Sequence, residues 1–143
     1  MIFARKKRQI ARLLVVEDEP LVAFDNEHFL SEASFEIVAT VDRVADAVRV
    51  IEGEGEVDMV LVDVNLADGS GVDVARAAHA RGMAVLFVTG NFPDHASIYA
   101  DGLLAKPYAQ RDLLHAIAAI EAKRGGRPVK KLPGGFRLFE RDA

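Results

Sequence analysis

Five residues of this sequence have the types needed to bind a divalent cation and a phosphoryl group, and each follows a short apolar run. They are the carboxylates Glu17, Asp18 and Asp63, the hydroxyl of Thr89 and the ammonium group of Lys106. Clustered carboxylates suit Mg²⁺, which takes one or two of them together with water and phosphate oxygens. A carboxylate can also attack phosphorus, while a hydroxyl and an ammonium group neutralise phosphoryl oxygens.

These residues span positions 17–106, so the elements between them must bring them together. The apolar runs that precede them are short enough to be buried strands. Parallel strands place their carboxyl ends at one edge of a sheet, and open α/β sheets bind their ligands there. The pattern therefore predicts one phosphoryl-transfer site at one edge of a sheet.

Strand and helix signals alternate along the whole chain. The predicted strands cover 13–16, 35–41, 57–64, 83–88 and 103–105. The predicted helices cover 20–33, 43–52, 71–80 and 111–123, with a short helix at 94–100 that Pro93 limits. This alternation predicts an α/β fold in which helices cover both faces of a parallel sheet.

Local signals predict how the first two helices begin and pack. Pro20 suits a first helical turn. The apolar residues of that helix lie near one face: Leu21, Phe24, Phe29 and Leu30. Asp42 is predicted to cap the helix at 43–52, because an Asp side chain can accept hydrogen bonds from a first helical turn. Residues 65–69 are predicted to form a loop.

Composition limits the classes of protein that this chain can belong to. The 143 residues suit one domain, and half of them are apolar, which excludes global disorder. The absence of cysteine excludes disulfides and thiolate chemistry and fits a reducing cytoplasm. The first apolar run is too short for a signal peptide, and no stretch predicts a membrane span. We therefore expect a cytoplasmic protein.

Charge is segregated along the chain although the net charge is only −4. Residues 1–12 hold five basic and no acidic side chains, residues 13–122 hold 6 basic and 20 acidic, and residues 123–143 hold 7 basic and 2 acidic. We expect a basic extension at 1–12, a folded domain at 13–123 and a basic tail with glycine and proline at 124–143. Solvated ends, or ends that fold onto the acidic domain, explain these charges best. Binding of nucleic acid or a membrane surface through them is the less favoured alternative.

Asp63 is the candidate phosphoacceptor because it ends the most apolar predicted strand. A carboxylate there needs compensation, which Lys106 and a metal ion can supply. Glu17 and Asp18 add two carboxylates for Mg²⁺, and the backbone carbonyl of Asn65 is placed to add another oxygen.

Four strings of the sequence give it a family resemblance: Val-Val-Glu-Asp-Glu-Pro (15–20), Leu-Val-Asp-Val-Asn-Leu-Ala-Asp-Gly-Ser-Gly (61–71), Phe-Val-Thr-Gly (87–90) and Ala-Lys-Pro-Tyr (105–108). Over residues 13–122 the chain resembles the receiver domain of bacterial two-component response regulators. The resemblance implies a flavodoxin-like doubly wound sheet of five parallel strands in the order 2-1-3-4-5.

The resemblance also implies the chemistry of the site. Asp63 would accept phosphate from the phosphohistidine of a sensor histidine kinase or a histidine phosphotransfer protein. Mg²⁺ would be held by four residues: Glu17, Asp18, Asp63 and the Asn65 carbonyl. Thr89 and Lys106 would sense the phosphoryl group, and the Lys106–Pro107 peptide bond would be cis.

Two features depart from the usual receiver pattern. Leu103 stands where receivers usually carry an aromatic switch residue, so Tyr108 or Phe92 is a candidate replacement. The segment between Thr89 and Lys106 is short, which predicts a short or irregular fourth helix. Both features resemble a subgroup of receivers with Phe-x-Thr-Gly, many of which act without an output domain. In the same family, the positions of Asn65 and Asn91 influence autodephosphorylation.

The favoured interpretation is a stand-alone receiver that signals through protein–protein contacts, as a monomer or weak dimer, and is not an enzyme in the usual sense. Its output face would lie around the fourth strand, the short fourth helix and the last helix. The alternative is a pseudo-receiver that binds partners without phosphorylation. A haloacid dehalogenase-type phosphohydrolase fits poorly, because Asn65 stands where its second Asp would be. The histidines, of which His115 is the best candidate for partner contact, lack ligand spacing.

Overall fold

The computed structural model describes residues 8–129 and 132–140 as an alternation of strands and helices. The strands are β1 Arg12–Val16, β2 Glu36–Val41, β3 Met59–Val62, β4 Asn65–Leu66, β5 Gly69–Ser70, β6 Ala84–Thr89, β7 Gly102–Ala105 and β8 Phe136–Leu138. The helices are α1 Pro20–Glu32, α2 Val44–Glu52, α3 Gly71–Ala80 and α4 Gln110–Arg124, with a 3₁₀ helix at Asp94–Tyr99. The predicted basic extension at 1–12 and tail at 124–143 lie partly outside the described residues.

The main sheet has the order β2-β1-β3-β6-β7-β8. Its first five strands are parallel, which confirms the predicted order 2-1-3-4-5. The sixth strand, β8, runs antiparallel along β7 and was not predicted, because it lies in the segment interpreted as a tail. The predicted loop at 65–69, together with Ser70, forms a short antiparallel ladder of β4 and β5.

Alternate residues of the strands pack on opposite faces of the sheet, as the pleat requires. Leu13 and Val15 of β1 face the side covered by α1 and α4. Leu14 and Val16 face the side covered by α2, α3 and the 3₁₀ helix. The sheet therefore has two apolar cores, and its strand ends are left free to form a site.

The predicted apolar face of α1 is wrong in its first half only, because Phe29 and Leu30 pack against the core as expected. Leu21 and Phe24 are 78% and 64% exposed, whereas the buried residues of the helix are Ala23, Asn26 and Leu30. The helix is rotated so that a small and a polar residue face the protein near its N-terminal half. A polar partner for Asn26, described below, stabilises this orientation, and the spacing of apolar residues does not reveal such a partner.

The predicted cap of α2 is also wrong. Arg43 occupies the N-cap position and makes no side-chain capping bond. Instead, the Asp68 carboxylate accepts hydrogen bonds from the backbone N–H groups of Val44 at 2.5 Å and Ala45 at 3.2 Å. The cap comes from the loop between β4 and β5, so sequence spacing around the helix could not identify it.

The segment between β6 and β7 agrees with the prediction of a short or irregular fourth helix, because it forms a single 3₁₀ helix. In the part of the chain that the structure describes, no helix combines the length and apolar character of a membrane span.

Candidate functional site

The predicted site residues meet at the carboxyl edge of the parallel sheet. Glu17 and Asp18 follow β1, Asp63 follows β3, Thr89 ends β6, and Lys106 follows β7. The registers Val16↔Val62, Val62↔Phe87 and Thr89↔Ala105 keep these strand ends nearly level. Four apolar strands in register thus deliver all five side chains to one edge.

Three carboxylates form the centre of the site. One oxygen each from Glu17, Asp18 and Asp63 lies within 4.8 Å of the others. Glu17 and Asp63 are buried, at 5% and 7% exposure, whereas Asp18 is half-buried. A compact, partly dehydrated group of hard oxygen donors fits Mg²⁺, which needs only one or two carboxylates beside water and phosphate.

Lys106 is the counter-ion of this cluster. Its ammonium nitrogen lies 2.7 Å from Glu17 Oε1 and 2.8 Å from Asp63 Oδ2. It also lies 3.3 Å from Oε2 of Glu19, a more exposed residue that the sequence analysis did not include. Glu19 stands beside the acidic pair in the sequence, but only the position of Lys106 in the fold shows that it joins the site.

Burial and pairing set the protonation of these groups. Burial raises the pKa of Glu17, because its hydrogen bond from Lys106 only partly offsets the loss of water. Burial also acts to raise the pKa of Asp63, but the hydrogen bond from Lys106 and the nearby Thr89 hydroxyl outweigh it, so that pKa lies below its usual value. Burial acts to lower the pKa of Lys106, but its bonds to Asp63 and Glu17 raise it well above the usual range. Asp63 is therefore an ionised carboxylate beside a charged lysine.

Thr89 is almost fully buried, at 2% exposure, and its hydroxyl bonds to the turn that follows β6. Thr89 Oγ1 accepts a hydrogen bond from the Asn91 N–H at 3.3 Å and donates one to the Asn91 carbonyl oxygen at 3.4 Å. On the Asp63 side, the Asn65 N–H donates to Asp63 Oδ1 at 3.3 Å. The side chains of Asn65 and Asn91 are exposed at the mouth of the site.

Gly71 is a site residue that the sequence analysis interpreted only as a helix start. A Cβ at this position would lie 1.9 Å from the Asp63 carbonyl oxygen and 2.9 Å from Val62 Cγ2. The first residue of α3 therefore packs directly against the backbone of the candidate phosphoacceptor. The sequence offered one signal for this contact, which is a glycine at the end of the loop, eight residues after Asp63.

The turn after Lys106 has the predicted cis bond, between Lys106 and Pro107. The next residue, Tyr108, accepts a hydrogen bond from Asn26 Nδ2 at 2.8 Å and donates one to Asn26 Oδ1 at 3.0 Å. Asn26 is 5% exposed, and this reciprocal pair joins α1 to the lysine turn. Sequence reasoning missed Asn26, since its partner is 82 positions away.

The remaining candidates lie away from the carboxylates. Leu103 is buried in the core beside β6, and Phe92 packs edge-on against Phe87 with ring centroids 5.1 Å apart. His115 lines a surface groove of about 430 Å³ between α4 and the chain that follows it. His115 is not in the carboxylate cluster.

Comparisons with known proteins agree with this geometry. The family profile described as the response regulator receiver domain matches residues 13–118. The sensory transduction protein RegX3 of Mycobacterium tuberculosis is 31% identical over 129 residues, which cover 86% of this chain and 56% of RegX3. The phyllosphere-induced regulator PhyR of Methylorubrum extorquens is 27% identical over 106 residues, covering 67% of this chain and 38% of PhyR.

Solved structures give the same answer for the fold. A CheY-like response regulator receiver domain protein from Methanospirillum hungatei has a TM-score of 0.73 at 24% identity, covering 82% of this chain and 98% of its own. A CheY-like receiver domain from Methylobacillus flagellatus has a TM-score of 0.67 at 26% identity, covering 78% and 99%. The chain thus matches nearly the whole of these structures, but it spans only about half the length of the curated relatives.

Proposed function

The chain belongs to the response regulator receiver domain family, and from this premise we propose that Asp63 accepts a phosphoryl group from a phosphohistidine. The donor would be a sensor histidine kinase or a histidine phosphotransfer protein. One observation carries the proposal: the Asp63 carboxylate is nearly buried and 2.8 Å from the Lys106 ammonium nitrogen, beside two further carboxylates. An isolated structural carboxylate would not need such neighbours.

The transfer makes one bond and breaks one bond. An Asp63 carboxylate oxygen bonds to phosphorus while the N–P bond of the donor breaks, and the bonding electron pair leaves with the imidazole nitrogen. Because hydrogen bonds from Lys106 keep the pKa of Asp63 low, no proton has to leave the nucleophile first. Asp63 is largely buried, so a donor would have to approach it from the carboxyl edge of the sheet, where β3 ends.

The other residues neutralise charge as the phosphoryl group arrives. Glu17, Asp18, Asp63 and the Asn65 carbonyl would hold Mg²⁺, which supplies positive charge to the phosphoryl oxygens when bound. Lys106 would pair with a second oxygen, and the Thr89 hydroxyl would donate a hydrogen bond to a third. Three clustered carboxylates with one ammonium group leave negative charge uncompensated, and this supports a divalent cation as the missing partner.

The first helix offers a surface for the phosphodonor protein. Leu21 and Phe24 are exposed on α1. A groove of about 460 Å³ runs between this helix and the lysine turn, with Asn26, Lys106 and Tyr108 in its lining. Exposed apolar side chains next to a reactive carboxylate suit the docking of a protein that carries the phosphohistidine.

The test is the intact mass of the protein after incubation with acetyl phosphate and Mg²⁺. We expect one phosphate adduct on the wild type and none on Asp63→Asn or in the presence of a chelator. Asp58→Asn is the matched control, because Asp58 is a carboxylate at the opposite end of β3 that accepts hydrogen bonds from the backbone N–H groups of residues 11 and 12; it should retain the adduct.

If no phosphate adduct forms, a Mg²⁺ titration distinguishes between two explanations of that result. Binding at millimolar Mg²⁺ without an adduct would limit the donor to a cognate protein. The absence of both binding and adduct would contradict the proposal and favour a non-phosphorylated interaction module.

A further inference from the structure

The edge of the parallel sheet is covered by a strand from the end of the described chain. The Ala105 N–H donates to the Gly135 carbonyl at 2.9 Å, and the Phe139 N–H donates to the Asp101 carbonyl at 2.9 Å, on either side of the β7–β8 pairing. Lys123 of α4 donates to the Phe139 carbonyl at 3.1 Å. Residues 135–139 are therefore attached to both the sheet and the last helix.

Two phenylalanines connect this strand to the candidate site. The ring of Phe139 stacks on Phe92, with centroids 5.6 Å apart and planes 19° apart, and Phe92 packs edge-on against Phe87 of β6. Phe139 is 9% exposed and belongs to the same core as Leu103. On this side of the sheet, the stacked aromatic rings thus come from β6, from the turn after it and from the residue that follows β8, while β7 contributes a leucine.

Phe92 is tied to Thr89 through one turn of backbone. The Thr89 hydroxyl bonds to both the N–H and the carbonyl of Asn91, the residue before Phe92. These bonds, at 3.3 and 3.4 Å, are long for hydrogen bonds that involve a hydroxyl oxygen. A hydrogen bond to an ionised phosphoryl oxygen is roughly twice as strong as a neutral one. A phosphoryl group on Asp63 therefore competes with Asn91 for the same hydroxyl.

We propose that Phe92 and Phe139 together respond to phosphorylation of Asp63, and that phosphorylation loosens β8 from the edge of β7. This inference rests on the proposed phosphoacceptor function. When the Thr89 hydroxyl turns to the phosphoryl group, the Asn91 backbone loses its partner and the turn that carries Phe92 is no longer fixed. Phe139 then loses the ring on which it stacks, and the strand that it anchors separates more often.

The size of β8 makes such a response physically accessible. The strand has three residues, is paired on one side only, and has no long apolar run of its own. Short edge elements with few hydrogen bonds open more readily than central strands, and ligands shift such equilibria easily. Opening would uncover the backbone of β7, a surface that an extended segment of a partner can pair with.

Amide hydrogen exchange at Phe139 and Ala105 measures the proposal directly, because both amides bond across the β8 edge. In the first experiment, Thr89→Val removes the hydroxyl that fixes Asn91 and needs no phosphorylation. We expect exchange at Phe139 to become about tenfold faster. Thr40→Val is the control: its hydroxyl is buried on the opposite edge strand without a hydrogen-bond partner among the described residues, so exchange at Phe139 should not change. Unchanged exchange in Thr89→Val overturns the proposal.

The second experiment compares exchange before and after phosphorylation, with the adduct measured by intact mass in the same sample. Exchange at Phe139 should rise about tenfold in the phosphorylated protein and stay constant in Asp63→Asn. An adduct accompanied by unchanged or slower exchange overturns the inference while leaving the proposed function intact. No adduct counts against the proposed function, and the Thr89→Val result then decides the coupling alone.

The coupling between strand opening and phosphorylation must act in both directions, which allows a third measurement. A strand with a purely structural role would show no effect in it. If phosphorylation favours the open strand, then weakening the strand must make phosphorylation more favourable, by at most the same coupling factor. Phe92→Leu keeps an apolar residue but removes the ring stack, so at limiting acetyl phosphate we expect a larger steady-state phosphorylated fraction, after correction for the measured hydrolysis rate of each phosphorylated protein. Leu132→Ala, an exposed change in the preceding segment, should leave that fraction unchanged. Equal fractions in Phe92→Leu and wild type overturn the coupling.

Discussion

At the scale of single residues, Lys106 has the most demanding position, because one ammonium group pairs with two buried carboxylates. Lys106→Ala leaves the charge that develops on the phosphoryl oxygens without this partner. We expect the rate of phosphorylation by acetyl phosphate to fall by about 10²–10³-fold, as for the loss of one preorganised charge-stabilising donor. Intact-mass analysis of samples quenched at successive times measures this rate.

Arg111→Ala is the matched control for this prediction, since Arg111 is an exposed cation in the first turn of α4. It should retain the wild-type rate. A rate for Lys106→Ala within threefold of that control would show that the lysine is structural only.

Tyr108 makes the stability of the folded protein depend on pH in a direction that can be predicted. Its burial raises the pKa of the phenol above the usual value, although the hydrogen bond with Asn26 acts in the opposite direction. As pH rises above about 10, the unfolded chain begins to lose this proton while the folded protein retains it. Stability should therefore fall with rising pH in this window, by at most about 1.4 kcal/mol per pH unit for this one group.

Urea unfolding of the wild type and of Tyr108→Phe, measured at a series of pH values from 9 upwards, isolates the contribution of the Tyr108 phenol to stability. The phenylalanine variant should be less stable at pH 8, because Asn26 loses its partner, and should lose stability less steeply at higher pH. Parallel slopes for the two proteins would contradict the assignment.

The residues that could be predicted from the sequence are those at strand ends. Asp63, Thr89 and Lys106 each follow an apolar run, and parallel topology alone then brings them together. Asn26 and Glu19 were missed for a physical reason: their roles depend on how α1 is rotated and on where the Lys106 side chain points. Neither property leaves a periodic signal in the sequence.

At the scale of elements, the start of α3 determines the geometry of the Asp63 backbone. Gly71→Ala places a Cβ 1.9 Å from the Asp63 carbonyl oxygen, so the helix or the strand end has to move. Overpacking of this kind destabilises a protein by about 1–3 kcal/mol. We expect that loss in urea unfolding, together with slower phosphorylation.

Gly55→Ala tests the same substitution in open space, since nothing lies within 4 Å of its Cβ position. It should change neither stability nor rate by a measurable amount. Wild-type behaviour of Gly71→Ala would show that the helix start can shift without disturbing the site.

The elements differ in how well the sequence predicts them. Regular strands and helices are recovered within about one or two residues, because strands buried on both faces form continuous apolar runs and helices bury one face with a period of 3.6 residues. The strand β8 was missed because its three residues are too few to show a period and lie in a segment with glycine and proline. The Asp68 cap was missed because a loop more than 20 positions away provides it.

At the scale of the whole molecule, Asp101 ties together segments that are distant in sequence. Its buried carboxylate accepts hydrogen bonds from the Val85 N–H at 2.8 Å and from Arg124 at 3.0 Å, and Arg124 also donates to the Gly82 carbonyl at 2.7 Å. Asp101→Ala leaves a buried N–H unpaired, which costs about 1–3 kcal/mol. Chemical denaturation should show this loss.

Asp94→Ala, an exposed change in the 3₁₀ helix, is the matched control and should lie within about 0.5 kcal/mol of wild type. An equally small loss of stability in Asp101→Ala would contradict the prediction. It would mean that a water molecule accepts the hydrogen bond of the Val85 N–H in place of the carboxylate.

The assembly of the site from distant strand ends also has a consequence for the newly made chain. Lys106 reaches Glu17 across 89 positions and Asp63 across 43, so both contacts require β1, β3, β6 and β7 to be in register. Contacts of such long range form late relative to local ones, because the loops between them must first close. During synthesis on the ribosome, the carboxylates therefore remain without their lysine until β7 and Lys106 have left the exit tunnel, and the proposed phosphoacceptor chemistry requires that nearly the whole domain has folded.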